Sequence, residues 1–203
     1  MQIDFLLEEE SAEEALRHLL PKMIGQRARW KLVNFGSKYK LLDKLSERLA
    51  GYCQRIKEGE DLRVVVLVDR DDDDCLALKH RLEEAARQAC LATKTAPDEK
   101  GRFFVVNRVV VEELESWFIG DPLALRRAFG SLPAIDGKKG IFRVPDNGGS
   151  WEKLHRFLKK HGVYKSSYPK IKAAQRIAAC MDIQNNNSHS FRVFREGVEA
   201  LLA

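Results

Sequence analysis

Three groups of acidic residues stand close behind apolar runs: Glu8 after residues 2–7, Asp69 and Asp71 after 63–68, and Glu113 and Glu115 after 103–111. Each run reads as a strand, rich in β-branched and large apolar residues. In open α/β sheets, ligands gather outside the carboxyl ends of the strands. Acids delivered there by different strands converge although they are far apart in sequence. Converging carboxylates repel and are costly to bury, and a hard divalent cation with oxygen ligands relieves both problems. Mg²⁺ or Mn²⁺ is the natural occupant. Two such ions would activate a water and stabilise the leaving oxygen in phosphodiester cleavage.

The run VVVLVDRDDDDC (64–75) sets five apolar residues against five aspartates. Val64 to Val68 is the near-continuous β-branched pattern of a parallel strand covered on both faces. In extended chain, residues two apart point to the same side, so Asp69 and Asp71 are expected to face one metal. Asp72 and Asp74 suit the positive end of the following helix. Asp73 is either a second metal ligand or a helix cap. Glu9, Glu10, Glu13 and Glu14 read as solvated acids around a helix start. Trp117 and Phe118 read as core.

The elements that must hold these residues follow from periodicity. Strands are predicted at 2–7, 29–35, 63–68 and 103–111. Ser11 and Glu14 form an S-x-x-E capping box that places a helix start at Ser11, and Ala12, Ala15, Leu16, Leu19, Leu20 and Met23 continue at helical spacing. A second amphipathic helix carries Leu41, Leu45, Leu49, Tyr52 and Ile56, and a third spans about 74–91. Strands alternating with helices argue an α/β fold with a mostly parallel sheet, helices on both faces and right-handed crossovers. After Asp121 the pattern becomes helical, near 122–129, 151–161, 170–181 and 191–202. Two parts are therefore expected, a core over 1–121 and a basic, mainly helical C-terminal extension over 122–203.

Composition bounds the class. The 203 residues are 44% hydrophobic and 32% charged, as in a soluble globular protein. No run reaches the roughly 20 apolar residues that span a bilayer, so no membrane partner is expected. The N-terminus lacks the basic region and cleavage site of a signal peptide, which makes the cytoplasm the expected compartment. Cys53, Cys75, Cys90 and Cys180 are scattered without zinc spacing and are expected to be reduced thiols. The net charge is +5, and residues 134–180 hold eleven Lys/Arg against three Asp/Glu. That basic half suits a polyanion such as DNA or RNA, with Lys138, Lys139, Arg143 and Lys172 as expected phosphate contacts.

Together, LLEEESAEEALRHLLPKM, VVVLVDRDDDDC and NRVVVEELESWFIGD, in that order, resemble bacterial proteins of the DUF4276 group. So do SYPKIKAAQRIAACMD and NNNSHSFRVFREGV near the C-terminus. This group is related to the Toprim fold of topoisomerases, primases and overcoming-lysogenization-defect (OLD) nucleases. The resemblance implies a Toprim-like fold. It also implies Glu8 in acid/base chemistry or metal binding, and Asp69 and Asp71 on the metal. Asp73, Glu113 and Glu115 match the further acids of a second metal in OLD-type relatives. A basic residue near the scissile phosphate is implied as well, and Lys170 is the first candidate for it, with Lys172, Lys138 and Lys139 behind it. One departure stands out. The usual Toprim turn has glycine after the glutamate and this chain has Glu9, so the first turn is expected to differ.

The resemblance further implies a separate ABC-like or OLD-like ATPase partner in phage defence. This chain has no G-x-x-x-x-G-K-[ST] phosphate loop of its own. The leading expectation is thus a Mg²⁺-dependent Toprim-type nuclease acting on DNA or RNA. The alternative is a non-catalytic nucleic-acid-binding or regulatory subunit of such an ATPase complex. A phosphatase forming an aspartyl-phosphate ranks third, because that chemistry usually follows the first strand.

Overall fold

The computed structural model describes residues 1–203. Its strands are β1 (Gln2–Leu7), β2 (Arg29–Asn34), β3 (Leu62–Asp69) and β4 (Val105–Val110). The helices are α1 (Glu10–Ile24), α2 (Lys38–Lys57), α3 (Cys75–Gln88), α4 (Glu115–Ile119), α5 (Pro122–Ala128), α6 (Ser150–Lys160), α7 (Lys170–Cys180) and α8 (His189–Leu202). The four strands form one open, all-parallel sheet in the order β2-β1-β3-β4. Residues 2–7 of β1 pair with 29–34 on one side and with 62–67 on the other. The fold class is therefore the α/β arrangement expected from the alternation of strands and helices.

Burial explains the strand sequences. From Val64 to Asp69 every residue of β3 is buried, so both of its faces are shielded. On one face Leu6, Val64, Val66 and Val68 meet Leu41, Leu45 and Leu49 of α2 and Leu78 and Leu82 of α3. Each such side chain contributes on the order of 1.5–3 kcal/mol of burial. On the other face Ile3, Phe5, Leu7 and Val65 are equally withdrawn from water. At the edge, β2 exposes Arg29 and Lys31 and half-buries Trp30 and Leu32, and such charges discourage edge-to-edge pairing. α1 begins at Glu10, so Ser11 lies in its first turn rather than at its cap.

One polar residue is built into β1. Asp4 is buried, and its carboxylate accepts from the Tyr52 hydroxyl at 2.8 Å and from Gln2 Nε2 at 2.7 Å. Burial, then the bond to Asp4, push the Tyr52 hydroxyl well above its usual range.

The chain divides into two compact units. The first comprises Met1–Glu9, Ile24–Val109 and Glu196–Ala203, and the second Glu10–Met23 and Val110–Arg195. Residues 110–121 and nearly all of α1 thus group with the later helices, and this division does not coincide with a split at 121. In the second unit Trp117 packs against Phe191 and Phe194, with ring centroids 5.2 and 4.8 Å away, and donates Nε1–H to Ser190 Oγ. The polar turn 185–187 has a structural task. Asn186 donates Nδ2–H to Trp117 O and accepts from Ser188 N–H. Gly120 has ordinary helical backbone, yet an added Cβ would overlap Asn186 and come within 2.7 Å of Ser188 N. No helix is long and apolar enough to cross a membrane.

Two changes test these supports. Tyr52→Phe strips the buried Asp4 of a donor and is expected to cost about 1–3 kcal/mol in urea unfolding. Gly120→Ala is expected to cost roughly 3 kcal/mol or more by overpacking alone, visible as a lowered thermal midpoint.

Candidate functional site

The sheet order dictates where a site can form. From β1 the chain moves to β2 on one side, and from β3 it moves to β4 on the other. The connections at the carboxyl ends of β1 and β3 therefore part, leaving the crevice where ligands bind in open α/β sheets. Glu8 is the first residue beyond β1 and Asp69 the last residue of β3. Leu7 lies level with Leu67, so Glu8 extends alongside the end of β3. Its Oε1 accepts the Asp69 backbone N–H at 2.7 Å. Both acids are buried, 6% and 8% exposed. Glu9 is not among the residues with positive φ, so the turn after β1 has no need of glycine there.

Beyond Asp69 the structure corrects the reasoning from extended chain. Asp71 takes a left-handed backbone (φ 49°) and the Asp73 N–H donates to Arg70 O at 3.0 Å, so the chain turns at once. Strand alternation does not orient Asp71. Lys38 does: its Nζ lies 2.5 Å from Asp71 Oδ2, 3.0 Å from Asp73 Oδ2 and 3.2 Å from Arg70 O. Asp73 accordingly answers to Lys38, whereas Asp74 caps α3 by accepting Ala77 N–H at 2.8 Å. Lys38 opens α2 just after its cap, Ser37. Sequence reasoning missed Lys38, because nothing in its local pattern distinguishes it from a solvated lysine. The available signal was position, since the turn from β2 into α2 lies at the same sheet edge as Glu8 and Asp69.

Electrostatics follow from burial. Desolvation pushes the Glu8 carboxyl up from 4.5 to about 7. The Asp69 N–H and the Lys38 charge oppose that rise, and Asp71 and Glu9 add to it. For Lys38, burial disfavours the ammonium, but its bonds to Asp71 and Asp73 outweigh this and hold it above its ordinary value.

The remaining candidates lie in the second unit. Glu113 Oε2 accepts from Ser150 Oγ at 3.0 Å and from Trp151 N–H at 2.9 Å. Glu112 Oε2 accepts from Gly149 N–H at 2.7 Å. Both carboxylates thus satisfy the N-terminus of α6, where negative charge is favoured. Gly148 leaves the space for this, since a Cβ there would lie 2.9 Å from Glu112 Oε2. Glu115 is buried next to Tyr168, whose hydroxyl is raised by burial first and then by that neighbouring charge. Lys170 Nζ sits 5.9 Å from the centre of the Trp151 ring. Lys172, Lys138 and Arg143 are exposed, and Lys139 pairs loosely with Asp136 at 3.6 Å.

Glu8, Asp69 and Asp71 are oxygen donors of the kind magnesium takes. Their chemistry fits a hard divalent ion, and the contact already in place joins Glu8 to the Asp69 backbone N–H rather than to its carboxylate. No three His, Cys, Asp or Glu side chains already form a cluster able to hold a metal ion. The Lys38 ammonium engages Asp71 Oδ2, so an ion taking that oxygen would compete with it.

Fold and site together define an open parallel α/β protein with an acidic switch-point crevice. The chain belongs to the family described as a domain of unknown function, DUF4276, whose family model matches residues 7–199. No curated protein and no solved structure matches the chain.

The raised Glu8 value carries a stability signature. A carboxyl held at about 7 in the fold and 4.5 when unfolded favours the folded state below pH 4.5, and that contribution is lost as pH rises through 7. At full ionisation the loss is roughly 3 kcal/mol. Glu8→Gln keeps an acceptor for Asp69 N–H and removes the charge. In chelator-treated protein, its thermal midpoint is expected to exceed wild type at pH 8.5 and to match it at pH 4.5.

Proposed function

We propose that this chain is a Toprim-type, Mg²⁺-dependent nuclease that hydrolyses phosphodiester bonds of DNA or RNA with the help of a separate ATPase. The observation that carries the reading is the buried Glu8 carboxylate bonded to Asp69 N–H at the β1/β3 crevice. A buried acid that titrates near neutral pH is costly to fold around and suits proton transfer at that pH. In this reading Glu8 Oε1 is fixed by Asp69 N–H, and Oε2 takes the proton of the attacking water. Asp69 and Asp71 hold the cation, which supplies positive charge to the phosphate oxygens when bound. Lys38, released from Asp71, neutralises the phosphate in the role that the resemblance gave to Lys170. The exposed lysines and Arg143 of the second unit contact phosphates without reading bases.

The test compares DNA and RNA cleavage by wild type, Glu8→Gln, Asp69→Asn and Asp71→Asn, with Mg²⁺ and with chelator. Asparagine at 71 tolerates the left-handed backbone, so Asp71→Asn removes charge without added strain. Cleavage is expected only with Mg²⁺ and is expected to fall at least 100-fold in each variant. Wild-type rates in Asp69→Asn would sink the assignment.

A regulatory subunit without turnover is the second reading, favoured by the Lys38 bridge to Asp71 and Asp73. It expects negligible heat in a calorimetric Mg²⁺ titration of both wild type and Lys38→Gln. The nuclease reading expects Lys38→Gln to bind Mg²⁺ several-fold more tightly than wild type, because the competing cation is gone.

A further inference from the structure

Within the second unit, the loop 133–142 and one side of α6 enclose a cleft of about 460 Å³. Ile135, Ile141, Phe142 and Phe157 give it an apolar floor, while Lys139, Lys153, Arg156 and Lys160 stand around it. The spacing on α6 explains this division. Lys153, Arg156, Phe157 and Lys160 recur at three and four residues and share a face, whereas Leu154 and Leu158 are buried. The Phe157 ring is half-buried, edge-on to Phe142 at 5.1 Å and 4.8 Å from the His161 ring. Arg156 and Lys160 are exposed and form no ion pair within the chain. Asp136 is the cleft's one acid.

We propose that this cleft seats one unstacked base of a single-stranded nucleic acid, while Arg156, Lys160 and Lys139 hold the flanking phosphates. The inference rests on the nucleic-acid substrate proposed above and narrows it to single strands. An apolar floor inside a cationic rim complements a ligand that is flat and apolar in its middle and anionic at both ends. An aromatic ring beside a guanidinium is the usual platform for such a base. Arg156 and Lys160 are four residues apart on α6, about 6 Å along the axis, suited to successive phosphates. Ile135, Ile141, Phe142 and Phe157 carry no side-chain hydrogen-bonding group, and besides the surrounding cations only Asp136 and His161 do, so binding depends chiefly on the face of the base and varies little with sequence. A duplex keeps its bases stacked and offers nothing to the cleft.

Anisotropy of a labelled 12-nucleotide oligo-dT, measured with the full chain in chelator, tests this apart from cleavage. Wild type is expected to bind oligo-dT at least tenfold more tightly than a 12-base-pair duplex, and oligo-dA within a few-fold of oligo-dT. Phe157→Leu keeps apolar bulk but loses the ring and is expected to weaken binding about tenfold. The pair Arg156→Glu and Lys160→Glu is expected to weaken it further and to flatten its salt dependence. Circular dichroism of each variant guards against misfolding. Equal affinity for duplex, or oligo-dT binding unchanged by Phe157→Leu, overturns the base seat. A labelled poly-glutamate peptide bound as tightly as oligo-dT assigns the cleft to acidic protein segments and overturns it too. Any of these leaves Mg²⁺-dependent cleavage standing as a separate readout, just as failed cleavage with intact oligo-dT binding would count against the catalytic reading alone.

Discussion

Everything at the candidate site depends on β1 and β3 lying side by side and parallel. Parallel pairing brings the carboxyl ends of both strands to one edge, and the order β2-β1-β3-β4 sends their outgoing connections apart. The register then sets the scale. With Leu7 level with Leu67, a glutamate at position 8 is long enough to reach the Asp69 N–H. A slip of one residue would turn every side chain of β1 to the other face. It would send Phe5 and Leu7 into the core filled by Leu6 and take Asp4 away from Tyr52. Core packing and the acidic contact are thus fixed by the same register, so the site inherits the rigidity of the sheet.

That rigidity has an electrostatic cost. A sheet end shielded from water is a poor solvent for carboxylates, and Glu8 responds by titrating near 7. Asp71 and Asp73 lie farther out and find a countercharge in Lys38. Both responses oppose accumulation of negative charge, one by holding a proton and the other by pairing. Either cation chemistry or proton chemistry can draw on such an arrangement, since each replaces something the fold already supplies.

The sheet was legible because strands buried on both faces leave unbroken apolar runs, and 64–68 is such a run. Helix positions were legible from their periodicity, to within a few residues. The nearness of Glu8 to Asp69 was legible because the carboxyl ends of parallel strands share one edge. Three things were hidden, each because it depends on contacts between distant segments. Lys38 has no local peculiarity and acquires its role when β2 delivers α2 to the same edge. Glu112 and Glu113 look like acids opening their own helix, yet they serve the N-terminus of α6, nearly forty residues on. Asn186 looks like a solvated turn, yet it holds the end of α4.

The aspartate run shows why composition alone misleads here. Its members answer to different demands within six positions. Asp69 ends a buried strand and is kept there by the sheet. Asp71 accepts a left-handed backbone that few residues other than glycine, asparagine and aspartate adopt cheaply. Asp73 answers a lysine from another element, and Asp74 caps the helix that follows. Asp72 alone, exposed and without a partner, is a solvated charge. Three of these demands, the left-handed turn, capping and solvation, are local. The others exist because an adjacent parallel strand supplies Glu8 and an adjacent helix supplies Lys38. A run of like charges at a strand end therefore carries information in its individual positions, and the neighbouring elements decide which positions can do chemistry.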